Sequence, residues 1–380
     1  EAGWEEKLVN ESYKWVERVV VFRPPVLQFQ SAVRDGLLEV GVLPYNGYTF
    51  DHIYGTKVGG TTFDQNGHRH TAADLLEYAN SNGITLLLHA TVYRILFTKN
   101  KERSNSRPVA YGVVFKDARG LEHRAYLKQG TKSEIIVSAG ALGQGMKDNP
   151  MNAIFIPSPT PTEVSLIQVV GITRFGSYIE AASGENFNRG SQQDFGMFSP
   201  KIGQFSKLPP KQRTPEALAK AIEKMESLQE EAFQGGFILE KINGPISKGH
   251  LELRNNDPNE NPLVTFNYFQ DPRDLEKCIQ GIRIIEKIID SKAFSPFKYN
   301  NMSASSLLNM TANRTSISLA QFCRDTVMTI WHYHGGCQVG RVVDRDYKVL
   351  GVDALRVIDG STFNYSPGTN PQATVMMLGR

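Results

Sequence analysis

Trp331-His332-Tyr333-His334-Gly335-Gly336-Cys337, followed by Val357-Ile358-Asp359-Gly360-Ser361 and Gly368-Thr369-Asn370-Pro371-Gln372-Ala373-Thr374, carries the densest chemistry of the 380-residue chain. Two histidines stand beside a glycine pair, an Asp-Gly turn ends an apolar run, and an Asn-Pro pair opens a final helix. The ordered set reads as one wall of an active site, with His332 as proton acceptor and Asn370 as its polar partner. Each piece also has a plainer reading. His332 can be a hydrogen-bonded core histidine, Asp359-Gly360 an ordinary turn, and Asn370 a helix cap with Pro371 at the first helical position. The Gly335-Gly336 pair tips the balance at His332, because glycines let a ligand ring approach backbone.

Two positions apart, His332 and His334 would share one side of a regular strand. A shared metal would need further ligands, and no HExxH spacing occurs. A Cys337–His334 nucleophilic pair lacks any group to orient the histidine. Asp359, at the end of Leu355-Arg356-Val357-Ile358, is placed to meet a ribose or ribityl hydroxyl. The helix after Asn370-Pro371 would offer free N–H groups to an oxyanion or an anionic cofactor ring.

Working outward, 42 basic and 39 acidic residues leave a formal charge of +3, too balanced to imply nucleic acid or an anionic membrane. No apolar run approaches the ~20 residues of a membrane span. Glu1–Lys7 is polar and acidic, so no signal peptide is read at the start; with no initiator Met, the chain is expected to be a processed or partial product. Five N-x-S/T sequons, at Asn10, Asn301, Asn309, Asn313 and Asn364, point to the secretory pathway, against an ordinary polar loop. Cys278, Cys323 and Cys337 contain no CxxC, which argues against a zinc ribbon. A Cys278–Cys323 disulfide and three buried free thiols both remain open.

Hydrophobic periodicity predicts helices over Ser31–Val40, ending before Gly41, and over Thr71–Ala79, with Thr71 as N-cap and Asp74 at the capping-box position. Between them Gly55–Thr62 reads as a loop lying close to a ligand. The period then changes: Ile84–Ala90, Thr91–Phe97, Val109–Phe115 and Ile135–Gly140 read as strands of an α/β sheet, the middle ones joined as hairpins. Long helices are expected over Glu216–Phe233, behind Thr214-Pro215, and over Asp274–Ile289. Phe237–Lys241, His250–Arg254 and Leu263–Tyr268 read as antiparallel strands of a second domain.

These residues resemble the glucose–methanol–choline (GMC) flavoprotein oxidoreductases. The Trp331-His332…Gly336-Cys337…Gly340 block is similar to that family's catalytic-histidine strand, and Val357–Ser361 and Asn370–Thr374 to its two C-terminal flavin-contacting segments. Pro245–Leu251 and Asn267-Tyr268-Phe269 resemble its substrate-domain sheet. Tyr78-Ala79-Asn80, Ala139-Gly140-Ala141-Leu142-Gly143 and Asp148-Asn149-Pro150 extend the similarity over nearly the whole chain. It is greatest with the plant HOTHEAD-like branch, which includes the mandelonitrile lyases.

The resemblance implies an α/β plus α+β fold, with a partial Rossmann-like FAD-binding domain (1–150), an antiparallel-sheet substrate domain (151–325) and a C-terminal segment (326–380) returning to the FAD domain. It implies FAD-dependent oxidation of an alcohol, with long-chain ω-hydroxy fatty acids as the substrate class. His332 would take the hydroxyl proton and Asn370 would hold the same oxygen as a neutral donor. Mandelonitrile lyases resemble the version with His there, so Asn370 favours dehydrogenase over lyase. Val92 matches the position beside the adenine; Gly140, Trp331, Asp359, Gly360, Pro371 and Gln372 match flavin-binding segments. Cys278 and Cys323 match a disulfide pair of the plant branch, again implying a secreted or extracellular protein. Two departures stand out: no GxGxxG occurs in the 380 residues, and Gly143 runs straight into Gln144-Gly145-Met146, as though a stretch were excised. The expectation is a truncated or alternatively spliced member that binds FAD weakly unless the missing piece is supplied.

Overall fold

In the computed structural model, the described residues are 3–98, 107–130, 132–140, 143–184, 210–226, 234–257 and 259–380. At their centre lies a seven-stranded sheet. Its spatial order is Tyr45–Tyr48, Gly55–Val58, Ser165–Ile172, Ser177–Gly184, Gly235–Ile242, Pro150–Pro157 and Met328–Thr329. All pairings are antiparallel except that between the first two strands. The register sets Lys57 opposite Val170, Val170 opposite Glu180, and Tyr178 opposite Lys241. Directly opposed side chains share a face, so the sheet has two distinct sides.

One side is a conventional core. Ile154, Ile156, Val169, Ile179, Ile238 and Ile242 pack against Gln28–Glu39, Pro272–Ile289, Ala304–Thr311 and Leu319–Thr326. The Pro272–Ile289 helix shows why it forms there. Asp271 accepts from the Arg273 N–H as N-cap, Pro272 occupies the first turn, and Cys278, Ile282, Ile285 and Ile289 make one fully buried stripe. Gly281 lets this helix lie close on the sheet: a Cβ there would stand 2.5 Å from Glu240 Cγ. Cys278 and Cys323 join as a disulfide, tying this helix to Leu319–Thr326.

The other side carries Lys57, Tyr178, Glu180 and Lys241 among Met151, Leu239 and Met328, and it faces the closing segment of the chain. Three smaller sheets flank the centre. Thr91–Thr98, Val109–Lys116 and Glu122–Tyr126 form an antiparallel meander; Gly143–Met146, Gly249–Glu252 and Leu263–Thr265 form another. Ile135–Val137 pairs in parallel with Leu355–Val357, joining residues more than 200 positions apart. Among the described residues no helix is long and apolar enough to cross a membrane.

Several expectations are corrected. Ile84–Ala90 is not a strand: no described strand pairs with it, and Ile84, Leu86, Leu87 and Leu88 are 50–72% exposed. An apolar run becomes a doubly buried strand only where neighbours cover both faces. Gly55–Val58 is a buried strand, and only Gly59–Thr62 behind it is loop. Thr71–Ala79 contracts to a 3₁₀ turn over Asp74–Tyr78, with Thr71 N–H donating to the Asp74 carboxylate and Thr71 Oγ1 accepting from Ala73 N–H rather than from Asp74. The helix behind Thr214 runs over Pro215–Glu226, with Thr214 Oγ1 accepting from Ala217 N–H; residues 227–233 and the apolar side chains of its stripe lie outside the described set.

Candidate active site

His332 does not sit in a regular strand. The Met328–Thr329 strand ends, Trp331 takes a left-handed backbone (φ +63°), and the chain turns His332 onto the open side of the central sheet. A left-handed φ is uncommon for a bulky residue and recurs at functional sites. The turn is held at its base. His332 N–H donates to Asp148 Oδ1 (2.8 Å), whose Oδ2 accepts from Tyr268 hydroxyl (2.6 Å). Burial lifts the Asp148 carboxyl to about 6, and the bonds from Tyr268 and the backbone hold it back from rising further.

The imidazole of His332 is gripped by one nitrogen. Nδ1 lies 3.2 Å from Asn149 Nδ2 and 3.3 Å from Tyr178 hydroxyl, while Nε2 has no hydrogen-bond partner among the described residues and is the nitrogen left for the cavity. Tyr178 hydroxyl, fully buried, also donates to the Thr369 carbonyl (3.0 Å), one residue before Asn370. His334 points elsewhere: its Nδ1 bonds to the His332 carbonyl (2.9 Å), and its buried Nε2 has no hydrogen-bond partner among the described residues. Among the described residues no group of three or more His, Cys, Asp or Glu side chains is placed to hold a metal ion.

Above His332 opens a cavity of about 860 Å³. Trp331, His332, Asn370 and Gln372 all line it, so the two distant ends of the closing segment meet there as expected. Gly59–Thr62, Gly368 and Thr369 form part of the rim, with Val21, Phe50, Leu166, Ile167 and Val170 supplying apolar wall. Asn370 is not a cap: the Gln372–Gly379 helix takes Pro371 as its N-cap residue, leaving Asn370 outside the helix. Asp359 is buried and doubly bonded, accepting from Gly140 N–H (2.8 Å) and Ser361 N–H (2.8 Å); the Gly360 carbonyl accepts from Gly335 N–H (3.1 Å). Val92 is 53% exposed on the meander, and Val92, Gly140, Asp359, Gly360 and Pro371 lie outside the cavity lining.

Comparison with known proteins decides the family. A family profile described as GMC oxidoreductase matches residues 245–379. The HOTHEAD protein of Arabidopsis thaliana is 47% identical over 422 aligned positions, covering 100% of this chain and 70% of that protein. The chain belongs to the GMC oxidoreductases. The Arabidopsis thaliana (R)-mandelonitrile lyase-like protein is 42% identical, covering 99% of this chain and 70% of its own length. An alcohol oxidase of Nesocodon mauritianus is 36% identical, over 99% and 69%. Among solved structures, pyridoxine 4-oxidase from Mesorbium loti superposes with a TM-score of 0.66 at 16% identity, over 94% of this chain and 70% of that one. Aspergillus oryzae formate oxidase gives 0.67 at 15%, with the same coverage. These two establish the fold. The HOTHEAD alignment is longer than the chain's 380 residues, as a stretch missing from this chain relative to HOTHEAD would produce.

Membership makes this chain an FAD-dependent alcohol oxidoreductase in class. The cavity fits the ring end of that cofactor: it has the volume for a flat ring system beside a substrate, and a Cβ on Gly59 at its rim would meet nothing within 4 Å. For a GMC oxidoreductase the electrostatics of the floor matter most. Burial, with Lys241 and then His334 adding to it, pushes the His332 imidazole down to about 3, so the ring is neutral at pH 7 and able to accept a proton. Lys241 and Glu180, both essentially fully buried, form an ion pair at the cavity floor, and the Lys241 ammonium sits 5.5 Å from the Tyr178 ring centroid. The neighbouring Glu240 points to the helix side, where burial raises its carboxyl well above the usual range and Ser177 donates to it.

Tyr178, Asn149, Asp148 and the Lys241–Glu180 pair were not read as site residues from sequence. Their signal was present: Glu180 and Lys241 interrupt otherwise apolar strands, which a buried sheet tolerates only with partners. Tyr178→Phe should remove one bond to the imidazole, worth about 1 kcal/mol, and lower kcat roughly five- to ten-fold. The expected result is a lower kcat with FAD content unchanged and an altered acid limb of the pH–rate profile. Equal loss of FAD and activity would mark a purely structural role.

Proposed function

We propose that this chain oxidises the CH–OH group of a long-chain ω-hydroxy fatty acid in the 860 Å³ cavity, with His332 as base and Asn370 as donor to the alcohol oxygen. The observation that carries the reading is the one-sided grip on His332. Nδ1 faces Tyr178 and Asn149, so Nε2 is free to meet a hydroxyl. Because the Tyr178 proton goes to the Thr369 carbonyl, its oxygen is free to accept from Nδ1–H, which leaves Nε2 unprotonated. In that tautomer the two N–H groups of Asn149 Nδ2 go to Ser366 Oγ (3.2 Å) and the Thr369 carbonyl (3.5 Å), not to the imidazole. Proton removal requires the alcohol oxygen within ~2.6–3.2 Å of Nε2, and a neutral Asn370 amide beside it orients the hydroxyl without competing for the proton.

When bound, FAD supplies the acceptor for the carbinol hydride. Trp331 and Gln372 would hold its ring in the cavity, with Val92 beside the adenine. Gly140, Asp359, Gly360 and Pro371 would hold the remainder, the Asp359 carboxylate fixing its own loop through Gly140 and Ser361. Residues 1–150 and 326–380 would form the cofactor side and 151–325 the substrate side, except that Tyr45–Tyr48, Gly55–Val58 and Met328–Thr329 belong to the substrate-side sheet and Gln28–Glu39 packs on it; the parallel pairing of Ile135–Val137 with Leu355–Val357 supports the division elsewhere. The apolar wall of Val21, Phe50, Leu166, Ile167 and Val170 suits an alkyl chain. The Cys278–Cys323 disulfide and the five sequons support a glycosylated protein of the secretory pathway.

A cyanohydrin lyase is the second reading, and the 42% identity to a mandelonitrile lyase-like protein favours it. Incubating the FAD-loaded protein with an ω-hydroxy acid and with mandelonitrile separates the two. Aldehyde from the first and no cyanide from the second is the expected outcome; cyanide release without aldehyde formation would overturn it.

A further inference from the structure

Among the described residues the cavity lining carries four cationic side chains, Lys14, Lys57, Arg69 and Lys241, against three carboxylates, Glu17, Asp51 and Glu180. Lys241 is paired with Glu180 at the floor. Lys57 is different. It is only 6% exposed, stands on the central sheet, and among the described residues makes no ion pair within 4 Å. Its ammonium donates only to two backbone carbonyls, of Asp51 (2.7 Å) and Thr49 (3.4 Å). Three N–H donors are available on an ammonium, so capacity for a further acceptor remains. The carboxylates of Asp51 and Glu180 lie within electrostatic reach of the ammonium, but neither hydrogen-bonds it, so its charge is met at contact only by carbonyl dipoles.

The register fixes where this charge lies. Lys57 is opposite Val170 and Val170 opposite Glu180, two strand spacings away, and Tyr178, which holds His332, lies two residues along from Glu180 on the same face. Strand spacing and rise put Lys57 on the order of 10 Å from Tyr178 across the cavity floor. Leu166, Ile167 and Val170 line the cavity from the strand between them.

We propose that Lys57 is a specificity residue that binds the carboxylate of a hydroxy acid whose carbinol end lies at His332. The alkyl chain crosses the Leu166–Val170 strand, and the carboxylate takes the donor position that the Thr49 and Asp51 carbonyls leave open. This rests on the proposed reading of the cavity as an alcohol-oxidising site, and it adds a requirement that reading lacks: discrimination in favour of an acid over an uncharged alcohol.

Equilibrium binding of decanoate and of methyl decanoate to the FAD-loaded protein tests it independently of turnover. The wild type should bind decanoate at least ten-fold more tightly than the ester. Lys57→Met, and Lys57→Gln, which keeps a donor for the Thr49 and Asp51 carbonyls, should each lose that preference with ester binding unchanged. Equal affinity for acid and ester in the wild type would overturn the proposal. So would a fall in FAD affinity in both variants with decanoate binding retained, which would place the cofactor at Lys57 instead. Turnover of the matching ω-hydroxy acid by the same preparations reports separately on the alcohol-oxidation reading: an enzyme that binds decanoate through Lys57 but oxidises no ω-hydroxy acid retains the anion site and loses that reading.

Discussion

His332→Ala is expected to lower kcat for alcohol oxidation by 10²- to 10⁴-fold, the range lost when a positioned general base is removed. Neither His334 nor Asp148 can substitute. His334 commits Nδ1 to the His332 carbonyl and lies outside the cavity lining, and Asp148 is spent on the His332 backbone and Tyr268. The fold should survive, because the backbone N–H to Asp148 is retained at residue 332 in the variant. FAD content and urea midpoint should therefore stay near those of the wild type, and added imidazole should restore part of the activity. The same geometry bears on pH. With its imidazole pushed down to about 3 by burial, Lys241 and His334, His332 stays unprotonated well below the ordinary imidazole range. The acid limb of kcat/KM should lie below pH 5, and a limb near 6.5 would mean that another group titrates.

Lys241→Met should cost about 3–5 kcal/mol of stability, the loss typical when one member of a buried ion pair is removed. The pair sits where three devices meet: Lys241 bridges to Glu180, lies near the Tyr178 ring, and adds to the suppression of charge on His332. Removing the ammonium leaves the Glu180 carboxylate buried at the cavity floor; Glu180→Gln leaves the ammonium instead. The double variant Glu180→Gln/Lys241→Met removes both charges and should recover much of the loss. A strongly non-additive cycle by urea denaturation is therefore expected, because the two residues share one interaction. Simple addition of the two single losses would show that the ion pair is not what holds them there.

The site's chemistry was readable where one residue type permits few alternatives. His332 beside Gly335-Gly336 and Asn370 before Pro371 were picked from local pattern, and both line the cavity. The helix read over Asp274–Ile289 was legible from its apolar stripe, while its first two residues, Pro272 and Arg273, and the Asp271 cap were missed. Long-range pairing hid the rest. Pro150–Pro157, Ser165–Ile172 and Ser177–Gly184 bury Asn152, Gln168 and Glu180, which blurs their apolar alternation, and their partners are remote in sequence. Asn152 donates to the Cys323 carbonyl and Thr326, Gln168 accepts from Leu27 N–H, and Glu180 pairs through Oε2 with Lys241 while its Oε1 has no partner among the described residues. Glu6–Val20 was missed as a helix because Glu5 gives it no side-chain cap bond and only Ser12, Val16 and Val20 are buried along it. Ile84–Ala90 misled in the other direction: composition announces burial, and position decides it.

The most direct test of the account is anaerobic reduction of the FAD-loaded enzyme by an ω-hydroxy acid carrying deuterium on the carbinol carbon. The account predicts that the flavin absorbance bleaches with one equivalent of aldehyde formed, that the rate falls on deuteration, and that His332→Ala abolishes the fast phase. A flavin that stays oxidised while mandelonitrile is cleaved to cyanide would contradict it.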